Sequence, residues 1–160
     1  SSTKKSVIES TYKETSNRIN NLNCSLIESL ICRHEKIEIT QSIDALIKKN
    51  VGIILIACAS AVSDRRDVLP ESIICSGGQI IHFGLPVDPG NLLILGYINK
   101  IPIIGMPGCA RSPSINGFDL ILRMILAGIK ITKKEIAELS LGGLLKETKL
   151  RPIPRISINK

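Results

Sequence analysis

Aromatic side chains are scarce in this chain: among 160 residues there are two Phe, two Tyr and no Trp. Proteins that hold single-stranded nucleic acid stack bases on aromatic rings, so that class of function is nearly excluded, and the core must be built from Ile and Leu. Five cysteines, Cys24, Cys32, Cys58, Cys75 and Cys109, are odd in number and include no Cys-x-x-Cys pair. That count argues against a disulfide framework or a zinc site and suits reduced thiols in apolar surroundings, in a cytoplasmic protein. His34 and His82 stand alone, so no metal-ligand set, Cys-His pair or Ser-His-Asp pattern can be assembled from neighbours in sequence. A Walker loop and a G-x-G-x-x-G fingerprint are also missing. No apolar run approaches about 18 residues and no charged-then-apolar leader opens the chain, so neither a membrane span nor export is expected.

What is present is ordinary globular material, 44% hydrophobic and 22% charged, enough for one domain with a substantial core. The formal charge of +7 is unevenly placed. Residues 146–160 carry Lys146, Lys149, Arg151, Arg155 and Lys160 against Glu147, and residues 1–20 carry Lys4, Lys5, Lys13 and Arg18 against Glu9 and Glu14. The body between them is close to neutral, which favours a solvated basic tail over a nucleic-acid arm. We therefore divide the chain into a domain over 1–145 and a basic, Pro-containing tail or linker over 146–160.

The apolar spacing predicts an amphipathic helix over 5–22, a strand over Leu26–Cys32, and a second helix capped by Thr40 and ending near Lys49. Val51–Cys58 is a continuous apolar strand, as at the centre of a parallel sheet covered on both faces. A helix with Pro70 and Glu71 in its first turn ends at Gly77-Gly78, and Gln79–Phe83 returns as a strand. Leu92–Ile98 and Ile101–Met106 form a hairpin across Asn99-Lys100, and Thr132 with Glu135 forms a capping box for a short helix through Leu139.

The segment Gly105-Met106-Pro107-Gly108-Cys109-Ala110-Arg111-Ser112-Pro113 reads as a strand end, a small-residue turn and a helix start, with Ser112 as N-cap and Pro113 in the first turn. Such a turn can hold a phosphate on unpaired N–H groups, and it can equally be an ordinary connection. Ligands in open α/β sheets bind beyond the carboxyl ends of strands, which singles out loops 58–67, 86–91 and 107–114. In the first, Arg65 or Arg66 could hold a phosphate, and Asp67 could cap its helix or bind a magnesium-coordinated nucleotide. In the second, Asp88 and Asn91 could read a heterocycle's amide edges, or Asp88-Pro89-Gly90-Asn91 is only a turn. Cys109 is a conceivable nucleophile at a helix N-terminus, where its pKa would fall, although no histidine lies near it in sequence.

One family carries these motifs together. The chain contains Ala59-Ser60-Ala61, Asp64-Arg65-Arg66-Asp67-Val68, Pro70, Gly77-Gly78 and His82-Phe83-Gly84-Leu85-Pro86-Val87-Asp88-Pro89-Gly90-Asn91-Leu92-Leu93. It continues with Gly108-Cys109-Ala110-Arg111-Ser112-Pro113, Asn116-Gly117-Phe118-Asp119, Leu126-Ala127-Gly128, Gly142-Gly143-Leu144-Leu145 and Arg151-Pro152-Ile153-Pro154-Arg155. From about residue 2 to 155 it resembles the molybdopterin-binding domain that precedes a nucleotidyltransferase domain in fused molybdenum cofactor cytidylyltransferase-like proteins. That domain looks like a branch of the superfamily of molybdopterin adenylyltransferase and molybdopterin molybdenumtransferase.

The resemblance implies an α/β fold of three layers, α/β/α, with a mostly parallel sheet, often trimeric in relatives. It implies molybdopterin or molybdenum cofactor as ligand, its pterin phosphate held at the strand ends. The residues carried over are Ala59, Ser60, Arg65, Arg66, Asp67, Asp88, Gly90, Asn91, Gly108, Cys109, Ala110, Arg111 and Ser112. Residues 57–61 stand where relatives have a Thr-Gly-Gly-Thr-Gly loop, Asp67 matches the Asp of their Arg-Asp-x-Thr-Pro segment, and 107–112 match their Pro-Gly-x-Pro loop. Two departures separate binding from catalysis. Cys58, Ala59, Ser60 and Ala61 replace most glycines of the first loop, and Ser2-Thr3-Lys4-Lys5 stands where adenylyltransferases bring an acid. The expected role is to bind the cofactor and present it to a nucleotidyltransferase domain beyond Lys160. Asp67 is catalytic, with magnesium and a nucleotide, only if adenylyl transfer is retained, and a trimerisation module without ligand is the remaining alternative. Relatives also place a sheet strand just before the first helix, so one sheet position is expected to be empty here or filled by another segment.

Overall fold

The computed structural model describes residues 2–58 and 66–139. Helix α1 (Ser2–Asn21) is followed by α2 (Lys36–Lys48), β1 (Ile54–Ala57), α3 (Val68–Cys75), β2 (Gln79–Phe83), β3 (Ile94–Ile98) and β4 (Ile101–Met106). A short 3-10 turn (Gly108–Arg111), α4 (Gly117–Leu126) and α5 (Lys133–Leu139) complete it. The chain is thus α/β, as expected. The tail over 146–160 and the Gly142-Gly143 motif lie outside the described residues.

The four strands lie in the order β1-β4-β3-β2. β1 and β4 are parallel, with Ile54 opposite Ile103 and Ala57 opposite Met106. β3 is antiparallel to both β4 and β2. A mostly parallel sheet was expected; among the described residues the sheet is mixed, because β2, β3 and β4 follow one another with links too short for a crossover helix. The hairpin across Asn99-Lys100 forms as expected, with Asn99 at φ 54°, a left-handed turn conformation that Asn tolerates.

Alternation along the strands divides the core in two. Leu93, Leu95, Ile104 and Met106 join Ile19, Phe118, Ile121, Leu122, Ile131 and Ile136, from α1, α4, α5 and the approach to α5. Ile94, Ile98 and Ile103 join Ile39, Ile43, Ile54, Leu69 and Ile73, mostly from α2 and α3. Helix α3 sits close on its strands because Gly105 lacks a side chain: a Cβ there would stand 2.8 Å from Leu69 Cδ2.

Three expectations need correction. Leu26–Cys32 is not a strand; it is exposed, and Ser25–Cys32 form no backbone hydrogen bonds among the described residues. A strand is a paired object, and β propensity without a partner leaves only an apolar coil. Helix α2 begins four residues before Thr40, since Ile39 and Ile43, one turn apart, are both buried. Thr40 instead donates its hydroxyl to the Lys36 carbonyl, 2.7 Å away within the helix. Finally, among the described residues β1 lies at the edge of the sheet rather than at its centre, with only Ile54 buried and Ala57 exposed.

Candidate functional site

β1, β2 and β4 run in the same direction, so the segments after Ala57, Phe83 and Met106 leave one edge of the sheet. The strand ends from which the three loops singled out in sequence depart therefore share that edge. Of the first loop, Ala59, Ser60, Ala61 and Arg65 lie outside the described residues. Arg66 and Asp67 are described, and Asp67 occupies the N-cap of α3 without a side-chain cap bond there. The Arg111 guanidinium reaches across from the β4 loop and donates from Nη2 to the Cys58 carbonyl at 2.8 Å. That bond ties the end of β1 to the turn after β4.

The second loop is shaped by its own backbone. Gly84 N–H donates to the Leu93 carbonyl and Leu85 N–H to the Asn91 carbonyl, each at 2.8 Å. Leu85 and Val87 bury beneath the loop while Asp88 and Asn91 face solvent. The Asp88-Pro89 peptide is cis and Gly90 has φ +120°. Gly117 N–H donates to the Pro89 carbonyl at 2.8 Å, and a Cβ on Gly90 would stand 2.5 Å from Gly117 N. Two glycines thus let the β2 loop lie against the start of α4.

The third segment departs from expectation. Ser112 is not a helix N-cap and Pro113 does not open a helix; Gly108–Arg111 is a 3-10 turn and α4 starts at Gly117, with its N-cap at Asn116, four residues beyond Ser112. Asn116 Oδ1 accepts from Phe118 N–H at 3.0 Å, and Asp119 Oδ2 accepts from Asn116 N–H at 2.9 Å. This reciprocal cap, with the Gly117–Pro89 bond, uses the amides that an anion would otherwise meet at α4. Gly108 remains exposed, with open space where a side chain would be, while Ala110 is wholly buried. Ala110 can therefore shape the turn but not touch a ligand with its side chain.

What holds this turn is a residue the sequence did not single out. Arg18, on α1, is only 9% exposed and is spent on the segment after β4. Its Nε donates to Asp119 Oδ1 at 2.8 Å and its Nη1 to the Ala110 carbonyl at 2.8 Å. Nη2 donates to the carbonyls of Ser112 and Ser114, and Nη1 also reaches the Glu14 carbonyl at 3.3 Å. The Ser112 and Ser114 carbonyls are both held by the Arg18 guanidinium, and the stretch between the 3-10 turn and Asn116 is not helical. The spacing Asn116-x-x-Asp119 was a readable capping signal; a lone arginine in a polar helix was not.

Both thiols near the strand ends are kept neutral. Burial pushes Cys58 up to about 11, assisted by Cys32 and Asp67 and opposed by Arg111. Burial likewise raises Cys109, with Asp88 adding to the effect. Cys109 therefore lacks the lowered pKa expected of a nucleophile at a helix start. All five cysteines are free thiols: Cys24 and Cys58 are half-buried against the two core clusters, Cys109 is half-buried, and Cys32 and Cys75 are exposed rather than in the core.

Two clefts flank helices α1 and α2. One of about 300 Å³ runs between α1 and the segment after the turn, past Asn17, Arg18, Pro113, Ile115 and Arg123. Another of about 280 Å³ lies between Leu30, Cys32 and α2. Among the described residues no helix is long and apolar enough to cross a membrane, and no group of three or more His, Cys, Asp or Glu side chains could hold a metal ion. No protein-family model, curated protein or solved structure matches this chain.

Proposed function

We propose that this chain is a cytoplasmic molybdopterin-binding domain that presents molybdopterin or molybdenum cofactor to a nucleotidyltransferase domain. In this reading the fold is the three-layer α/β/α arrangement, and the domain associates as a homo-oligomer, a trimer as in the relatives it resembles. The observation that carries the reading is that β1, β2 and β4 end at one edge of the sheet, with Arg111 bonded to the Cys58 carbonyl just after β1 and Gly90 against Gly117. Two core clusters fed by opposite faces of β3 and β4 support the layering.

The structure changes how a phosphate would be held. With the start of α4 capped by Asn116 and Asp119, the phosphate contacts fall to the open backbone at Gly108 and to those Arg111 donors not given to Cys58. A guanidinium keeps several N–H groups after donating one, so a second partner is chemically reasonable. Asp88 and Asn91, both exposed, supply the acid and carboxamide for the pterin edge.

Titrating the purified chain with molybdopterin tests the reading. Saturable binding is expected, weakened about tenfold or more by Arg111→Ala, the scale of one lost bond to a charged group. An absence of saturation, or binding indifferent to Arg111→Ala, counts against it. Incubation with ATP, magnesium and molybdopterin is expected to leave the pterin unmodified; adenylylated product would move the function to Asp67 and to catalysis. Mass measurement in solution beside the titration identifies the structural alternative, an oligomer that binds nothing.

A further inference from the structure

We propose that Arg18 is the positioning residue for ligand binding at the strand ends, setting from α1 the shape of the turn that carries Gly108 and Arg111. The inference rests on the molybdopterin reading and adds to it a residue that touches no ligand. Every N–H of the Arg18 guanidinium has an acceptor: Nε serves Asp119, Nη1 serves Glu14 and Ala110, and Nη2 serves Ser112 and Ser114. Four of these five acceptors lie between residues 110 and 119, about ninety to a hundred positions away in sequence. Its plane also lies over the Phe118 ring, 6.0 Å from the centroid.

The geometry divides labour between two arginines. Arg111 projects from the 3-10 turn toward Cys58, while Arg18, from α1, grips the carbonyls on both sides of Arg111. Ala110 and Ser112 flank Arg111 directly, so their carbonyl directions determine where the Arg111 side chain leaves the backbone. Asp119 closes the arrangement, since one oxygen receives Arg18 and the other receives Asn116 N–H. Arg18 thus reaches both the turn and the cap of α4. A lysine could satisfy Asp119, but a single ammonium cannot reproduce a planar fork bonded to three loop carbonyls.

The test compares wild type, Arg18→Lys, Arg111→Ala and the double variant by molybdopterin titration and by amide hydrogen exchange of the full chain. For Arg18→Lys the proposal expects faster exchange confined to residues 110–116 and binding weakened about tenfold, the scale of lost bonds to a charged group. Adding Arg111→Ala should then cost little more, because Arg111 is already displaced; additive losses would overturn the proposal, since a merely loosened fold would produce them. Unchanged exchange in 110–116 overturns it, as does faster exchange with wild-type affinity. If Arg18→Lys does not fold, Asp119→Asn leaves the fork in place, weakens its anchor, and should shift both quantities in the same direction by less; no shift overturns the proposal. A wild-type chain that fails to bind molybdopterin removes the ligand reading and this role with it, and that failure is visible before any variant is compared.

Discussion

A single atom decides the behaviour of several residues here. Gly90 sits at φ +120° with Gly117 N where its Cβ would be, so Gly90→Ala meets both backbone strain and a backbone neighbour that cannot swing aside. We expect it to destabilise the fold by about 2–3 kcal/mol, read as a lower urea midpoint at unchanged slope. A midpoint within error of wild type would mean that the two loops can separate freely. Cys58, with its thiol near 11 against an ordinary 9.0, should carry roughly a hundredfold less thiolate at pH 8 than an unhindered cysteine. Iodoacetamide labelling mapped by mass spectrometry should find Cys58 far slower than the exposed Cys32 and Cys75, its rate still climbing past pH 10. A plateau near pH 9 would contradict the buried environment. The sign for stability follows from linkage. The neutral thiol is favoured in the fold, so its contribution is intact below about pH 9 and is lost as pH rises through about 11.

Elements begin and end where side chains satisfy their termini, and the β4-to-α4 connection shows how that can move a boundary. Ser112-Pro113 has the composition of a helix start, yet α4 waits for Asn116, whose side chain takes the Phe118 amide while Asp119 takes its own. Asn116→Ala should cost about 1 kcal/mol by thermal or urea unfolding, typical of a lost N-cap; no loss would mean that Asp119 alone holds the helix start. Elsewhere local signals sufficed. The Thr132 and Glu135 capping box precedes α5 as read, with Thr132 N–H donating to Glu135 Oε2 at 2.8 Å. Gly77, at φ +78°, ends the turn after α3. These succeeded because caps and turns are contacts within a few residues, which spacing alone reveals.

At the scale of the molecule, protection should be unequal. Amides of β3 and β4, flanked on both sides and buried, should exchange slowest, and those of Ser25–Cys32, which have no backbone partner among the described residues, should exchange at nearly the unstructured rate. Slow exchange in Ser25–Cys32 would mean that this apolar segment is paired in solution, most simply across a copy of the chain. Periodicity, caps and glycine positions were enough to read the α/β class, the four strands of the described sheet and the hairpin. They were enough because each depends on a residue's neighbours in sequence or on the alternation of strand faces. The place of β1 and the unpaired state of Leu26–Cys32 among the described residues, the late start of α4 and the grip of Arg18 on Ala110, Ser112 and Asp119 were not readable. Each depends on which distant backbone group lies within hydrogen-bond reach, and only the folded chain brings those groups together.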